Sequence, residues 1–459
     1  MCITCWANSI GKHGRTSLEA RAHEPADMDR DIGGKYSGRA GKMPYLCNKL
    51  IQPPMLLNDE TLRFIRQHAC DDVRALALHA RPEPGVDLSA ALTQIAGLQT
   101  LRAKVPAWAS TEGILCPARL SLEQCSSEAT ARYKARLVAA YAGPRHRLAD
   151  LTGGLGIDCS FLAPLFDEAD YVERQASLCQ LAAHNLPLLG LKHVRVHCAD
   201  GIAFLADMPA ADWIFLDPAR RDSHGGRTVA LADCEPDVSQ LEGQLLERAS
   251  RVLLKLSPML DLTLALHTLR HASQAHIVAV GNECKELIVV LEKDAATAVD
   301  DIPVTCANLD PRGMPAQATF TFTRREEHAA PCPWAKAPAT YLYEPNAALM
   351  KAGPFHRLAE AYGVKKLHPS SHLYTSEQRV EDFPGRTFRI EGWCGWGKKE
   401  AKALLDGLRQ ANLSVRNFPD NVAALRKRLR LAEGGDSYLF ATTLADGSKA
   451  LIRGKRVRD

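Results

Sequence analysis

Between residues 147 and 293 the chain alternates short apolar runs with stretches at helical spacing. RLADL, DYVE, VRVHCAD, ADWIFLDP and RVLLKLSP read as strands buried on both faces, with a helix between each pair. That alternation predicts a doubly wound parallel sheet of the Rossmann-like α/β class. After the fifth strand and its helix come IVAVG and ELIVVLEK, joined by a short polar turn over Asn282 to Lys285. The turn has no room for a crossover helix, so the two runs form an antiparallel hairpin. A seven-stranded sheet with an antiparallel last strand is the expectation.

The pattern changes on either side. Residues 1–45 are rich in Gly, Arg, His and Asp, lack periodicity, and read as disordered. Residues 46–145 read as helical. LNDETLRFIRQHA has Asn58 or Asp59 as a cap, and SSEATARYKARLVAAY has Ser126 or Ser127. The alternating core of 146–295 is followed by an α+β connecting region, 296–380, that is extended from 301 to 345. Residues 381–459 then form a small α+β unit of the order βαβαββ: FRIEGW, KKEAKALLDGLRQAN, LSVRNF, PDNVAALRKRLRL, SYLFATTL and KALIRGKR.

Composition narrows the class. With 459 residues, 46% apolar and 24% charged, the chain is a multi-domain globular protein. No apolar run approaches a membrane span, and the N-terminus has no hydrophobic signal core, so a cytoplasmic protein with no membrane partner is expected. The 14 cysteines are scattered and read as buried free thiols. Cys2 and Cys5 lack a second pair at zinc spacing, so no metal site is expected. Residues 331–459 hold 22 Lys and Arg against 13 Asp and Glu, a surplus of +9 within a net charge of +4. A basic module beside an acidic one suits a polyanionic partner, although a solvated basic surface explains the charge equally well.

The chemistry centres on ADLTGGLGID, a strand running into a glycine turn and a helix. A dinucleotide turn reads GxGxxG, and the run from Gly154, GLGIDC, lacks the third glycine. An S-adenosylmethionine (SAM) turn fits better. Asp150 at the strand end can meet the cofactor's ammonium. Thr152, Gly153, Gly154 and Gly156 let its methionine part lie against the backbone, and Asp158 opens the helix. Glu173, 23 residues after Asp150, can accept both ribose hydroxyls, and Asp200 can accept from the adenine amino group. The antiparallel last strand separates this sheet from a nicotinamide fold.

These residues resemble the class I SAM-dependent methyltransferases over about 126–293. Asp150 to Gly156 is similar to their first motif, with Thr152 in place of the usual first Gly. Glu173, Asp200 and Asp217-Pro218 follow as their later motifs. The order SSEATARYKA, DLTGGLGID, DPARR and a basic C-terminal unit is similar to bacterial methyltransferases with a THUMP-like domain. The Ser-Glu helix before the glycine turn also resembles the trimethylguanosine synthase family. THUMP-like modules are associated with RNA. The resemblance therefore implies SAM as cofactor and an RNA, ribosomal or transfer, as partner.

At FLDPARR, Asp217 and Pro218 can orient an amine, and Arg220 with Arg221 can pair with a substrate phosphate. No aromatic residue follows the motif to stack on a base. DPAR is also similar to uracil-5 RNA methyltransferases, which need a cysteine after strand five. Here that strand ends in Lys255, Ser257 and Pro258, so a nucleobase nitrogen is the favoured target. Lys255 and Ser257 can face the substrate, although Lys255 suits a structural place as well. The resemblance tips Tyr133 and Lys134 toward closing the pocket rather than packing. The long loop Asp222–Pro236, with Gly225 and Gly226, reads as a lid. Arg426, Lys427 and Arg428, with Arg416 and Arg430 nearby, are the densest basic group and suit RNA phosphates. The rivals are methylation of a protein or small molecule, and an RNA-binding protein without activity.

Overall fold

The computed structural model describes residues 57–80, 83–117, 119–220 and 230–457. The segment 1–45 lies outside them, as do Arg221 and residues 222–229 of the expected lid.

Strands β1 (Arg147–Asp150), β2 (Glu168–Glu173), β3 (Val194–Cys198), β4 (Ala211–Leu216) and β5 (Ala249–Leu256) are parallel. Their alternate side chains enter two cores. Ala149, Ile214 and Leu254 point to one face of the sheet, and Leu148, Trp213 and Leu253 to the other. This is why the central strands β4 and β5 are apolar at most positions, whereas β3, at the sheet edge, is only partly buried. The hairpin of β6 (Ala272–Val280) and β7 (Glu283–Glu292) is present, with β7 antiparallel to both β5 and β6. Its turn is shorter than the polar stretch suggested. Gly281 (φ +58) and Asn282 (φ +65) alone reverse the chain, a two-residue turn that needs positive φ at both positions.

The sheet does not stop at seven strands. β8 (Val304–Leu309) pairs parallel with β6, and β9 (Phe320–Phe322) pairs antiparallel with β8. The spatial order is β9-β8-β6-β7-β5-β4-β1-β2-β3. Val304, Cys306, Ala307 and Leu309 are buried, so β8 covers what would be an exposed apolar edge.

Among the described residues six helices precede the sheet: α1 (Asp59–Gln67), α2 (Val73–His79), α3 (Leu88–Lys104), α4 (Pro106–Ala109), α5 (Arg119–Gln124) and α6 (Glu128–Ala140). Asn58 caps α1 by accepting from the Thr61 amide at 2.9 Å, and Ser127 caps α6. Leu101, Val105, Trp108, Leu122 and Ala131 form one core with Leu155 and Ile157, which belong to the glycine turn and to helix α7 (Ile157–Leu162). Trp108 Nε1 also donates to Ser160 Oγ at 3.0 Å. The N-terminal helices are thus packed onto the turn itself.

The second sheet has seven strands: β10 (Tyr341–Pro345), β11 (Lys365–Lys366), β12 (Tyr374–Ser376), β13 (Gly385–Gly395), β14 (Asn412–Arg416), β15 (Ser437–Thr443) and β16 (Lys449–Arg456). Their order is β11-β12-β10-β13-β16-β15-β14. The stretch 301–345, expected to be extended throughout, therefore divides: its first part joins one sheet, Arg324–Ala329 forms a helix capped by Thr323, and YLYEP joins the other sheet. Glu344, 2% exposed, ties three strands together by ion pairs to Arg386 and to Arg416, the latter at 2.7 Å. Among the described residues no helix is long and apolar enough to cross a membrane, and no group of His, Cys, Asp or Glu could hold a metal ion.

Trp108 is 1% exposed and bridges the helical region to the glycine turn. Trp108→Ala is expected to cost about 3–5 kcal/mol of stability, the usual loss for a buried tryptophan, measurable by urea unfolding. A change under about 1 kcal/mol would mean that the helices are not anchored there.

Candidate functional site

The carboxyl ends of β1, β2, β3, β4 and β5 open into a single cavity of about 1000 Å³. Each strand sends an acid or a polar residue to that edge because the chain must turn there before its crossover helix. Thr152, Gly153, Gly154 and Gly156 form the wall after β1, Glu173 and Arg174 after β2, Asp200 after β3, Asp217 and Pro218 after β4, and Lys255 and Ser257 at β5. Asp158 also lines it. The sequence reading did not assign the opposite wall, which Ser121, Gln124, Cys125 and Ser126 build from α5 and the start of α6.

The turn is held by contacts that require its residues. Gly153 packs on Tyr171, and a Cβ there would lie 2.2 Å from the ring. The Gly153 amide donates to Val172 O at 2.8 Å, and Tyr171 Oη donates to Gly154 O. Gly154 (φ +54) and Gly156 (φ +86) have the left-handed backbone that glycine adopts freely. A Cβ on Gly154 would meet no protein atom nearer than 3.8 Å, so its face toward the cavity is open. Thr152, which departs from the usual glycine, has a reason to do so: its Oγ1 accepts from the Asp217 amide at 2.7 Å and ties the first motif to the fourth.

The acids divide by role. Glu173 accepts from the Gly154 amide at 2.9 Å and from the Gln175 amide at 2.8 Å, so it braces the turn while facing the cavity. Asp200 caps the helix Gly201–Asp207 through Oδ1, which accepts from the Ile202 and Ala203 amides. Asp150 corrects the expectation. It is wholly buried and does not line the cavity. One oxygen accepts from the Thr152 amide at 3.1 Å, and Oδ2 is buried with no protein partner. Burial raises its pKa well above the carboxylate range, and Asp158, Asp217 and Glu173 add to the effect against the Thr152 amide. It supports the turn from beneath.

Tyr133 and Lys134 also differ from expectation: neither lines the cavity. Tyr133 Oη bonds to His276 Nδ1 at 2.9 Å, against β6. Lys134 is 0% exposed and its Nζ lies 2.7 Å from Glu286 Oε1 and 3.1 Å from Asp158 Oδ1. A lysine on the buried face of α6, beside Ala131 and Val138, reaches the acid that opens ELIVVLEK. Ser126 Oγ donates to Asp158 Oδ2 at 2.6 Å, and Lys255 Nζ lies 3.7 Å from that same oxygen. Lys255 also ion-pairs with Asp217. Burial lowers the Lys255 pKa, but Asp217, Asp158 and Glu286 outweigh it and hold the ammonium above its ordinary range.

Of Arg220, the backbone pairs with Cys234 in a short ladder whose other rung is Ala219 with Glu235. Arg174 ion-pairs with Glu235 at 2.7 Å across the cavity rim. Arg426 and Lys427 lie elsewhere, on the helix Val422–Leu429 of the second sheet, beside a shallow cleft of about 540 Å³. Arg428 stacks over Trp396, 4.4 Å from the ring centroid.

Two family models match the C-terminal part: a ferredoxin-like domain over residues 341–384 and a THUMP domain-like family over 385–456. A crystal structure of a candidate methyltransferase from Porphyromonas gingivalis W83 is 36% identical, with a TM-score of 0.78. The alignment covers 88% of this chain and 100% of that one. The chain belongs to the class I SAM-dependent methyltransferase family. A Streptococcus thermophilus rRNA methylase is 15% identical over 35% of this chain and 94% of that one, with a TM-score of 0.27, a likeness that bears on neither activity nor substrate. No curated protein matches.

For this methyltransferase the raised pKa of Asp150 has a consequence for stability. The native state binds a proton that the unfolded chain has released above about pH 4, so this residue costs more stability as pH rises from there toward its native pKa. Asp150→Asn keeps the acceptor for Thr152 and removes the titration. Its stability relative to wild type should therefore grow by up to about 1.4 kcal/mol per pH unit in that window. Urea midpoints between pH 4 and 7 would show it, and a pH-independent difference would contradict it.

Proposed function

We propose that the protein is a cytoplasmic SAM-dependent methyltransferase that modifies a nucleobase nitrogen of a structured RNA, ribosomal or transfer. The observation that carries this reading is the place of Asp217. It follows β4 on the cavity wall, its amide is fixed by Thr152, and its carboxylate is paired with Lys255 between the glycine turn and the end of β5.

The residues present fit SAM. The open face of Gly154 accommodates the methionine part, and Glu173 and Asp200 offer acceptors for ribose and adenine. Among the described lining residues, Asp158, Glu173, Asp200, Asp217 and Glu235 outnumber Arg174, Lys255 and Lys285, a balance that suits a cationic ligand. Bound there, SAM supplies an electrophilic methyl group.

The chain's own residues then have a small task. An amine needs its lone pair aimed and its N–H groups held, and positioning supplies most of the rate. Asp217 accepts from an N–H, and the Pro218 carbonyl offers a second acceptor. Carbon methylation would need a thiolate. Cys125 lines the cavity, but burial, foremost, pushes its pKa up, with the nearby lysines only partly offsetting it. This supports nitrogen over carbon-5 of uracil. The basic surplus of 331–459 and the THUMP-like match over 385–456 support RNA as the partner. In this reading Arg426, Lys427 and Arg428 meet phosphates, Arg220 and Arg221 keep the substrate-phosphate role assigned from the sequence, and Ser257 faces the acceptor from the cavity wall.

Gly154→Val places a branched side chain at φ +54 on the cavity wall and should abolish SAM binding in calorimetry. Asp217→Ala should keep SAM binding. Its methyl transfer from labelled SAM into RNA of a strain lacking the gene should fall about 100-fold or more. Nucleoside mass spectrometry of the labelled RNA names the atom. SAM binding with no RNA labelling by the wild type would move the assignment to a protein or small-molecule substrate.

A further inference from the structure

Behind the cavity lies a pair of charges that the reaction above does not use. Lys134 and Glu286 are both buried, and Lys134 Nζ bonds both Glu286 oxygens, at 2.7 and 2.8 Å. The same ammonium reaches Asp158, and Asp158 reaches Lys255, which holds Asp217. The group therefore runs unbroken from the wholly buried α6–β7 contact to the one carboxylate exposed at the acceptor position. It contains two ammonium groups and three carboxylates. Asp158 is the shared member, drawn from one side by Lys134 and from the other by Lys255.

We propose that Lys134 and Glu286 are positioning residues for the acceptor site, acting through Asp158 on the Lys255–Asp217 pair. Glu286 occupies Lys134 and so leaves Asp158 available to Lys255. Without Glu286, Lys134 turns wholly to Asp158, Lys255 is left to Asp217, and one negative charge is gone. Without Lys134, Asp158 competes harder for Lys255 and Asp217 loses its counter-charge. The two removals act on Asp217 in opposite senses. Burial raises the Glu286 pKa, against the pull of Lys134 and Lys255. For Asp158 the order reverses: burial opposes its charge, and Lys134 and Lys255 together overcome it. Tyr133 on α6 and Cys284 on the same strand also feel the Glu286 charge, and both have pKa raised chiefly by burial and so are uncharged at neutral pH.

The inference rests on Asp217 being the acceptor-orienting residue, and the test separates the two. The Asp217 carboxyl is titrated by ¹³C NMR in the full-length protein, assigned by comparison with Asp217→Asn, and the acid limb of methyl transfer is measured in parallel. Glu286→Gln should lower the Asp217 pKa and move the acid limb down by about one unit. Lys134→Met should raise both by a similar amount. A structural role alone would weaken both variants without opposite shifts. If Lys134→Met does not fold, Lys134→Met with Glu286→Gln restores the net charge and should titrate near wild type. Shifts of the same sign in both single variants, a shift in neither, or a double variant that follows Glu286→Gln would overturn the inference. A wild type that transfers no methyl group, with the opposite NMR shifts present, would sink the proposed function and leave the coupling standing.

Discussion

Four elements of the catalytic half, α6, α7, β5 and β7, meet at a set of charges taken out of water. Such a set is costly unless every member has a partner, because the desolvation of each ion must be recovered from its neighbours. Lys134 meets Glu286 and Asp158, Asp158 also meets Ser126 and Lys255, and Lys255 meets Asp217. This closure constrains the surrounding fold. The antiparallel strand must bring Glu286 under α6, and the helix after the glycine turn must point Asp158 back toward β5. The cavity wall is the outer surface of that arrangement.

The glycine turn is built from both sides. From below, Tyr171 and the buried Asp150 support its backbone, and from the flank Trp108 and Leu101 fix the helix that follows. From the cavity side, Glu173 takes the Gly154 amide. A turn braced so heavily needs little rearrangement when a ligand arrives, which is what preorganised binding requires. Thr152 adds a link that glycine could not make, joining the glycine turn to the Asp-Pro turn by one hydrogen bond.

Much of this was legible in the sequence because it is local. Strands buried on both faces announce themselves as apolar runs, and acids at their ends stand out. So Glu173, Asp200 and Asp217 were placed on the cavity, and the hairpin was recognised from the absence of crossover length. What was missed is long-range. Lys134 and Glu286 are 152 residues apart, and no periodicity shows that two buried charges will meet. The available signal was a lysine within the apolar stripe of α6, which reads as a partnered core charge and not as a pocket lid. Asp150 misled for a similar reason: a strand-end acid faces either the ligand or the turn, and only the packing decides. β8 and β9 were read as part of a connecting region because pairing across the sheet edge leaves no mark beyond extended spacing.

The second sheet has one further implication. The ferredoxin-like and THUMP-like matches abut at residues 384 and 385, yet β10 and β13 are hydrogen-bonded neighbours from Tyr341 with Arg389 to Pro345 with Gly385. Glu344 fastens the same seam to Arg386 and Arg416. A cut at that junction would leave two raw strand edges and a buried carboxylate without its arginines. The two matched stretches are therefore one structural unit, and neither can be excised without rebuilding the strand edge it shares with the other.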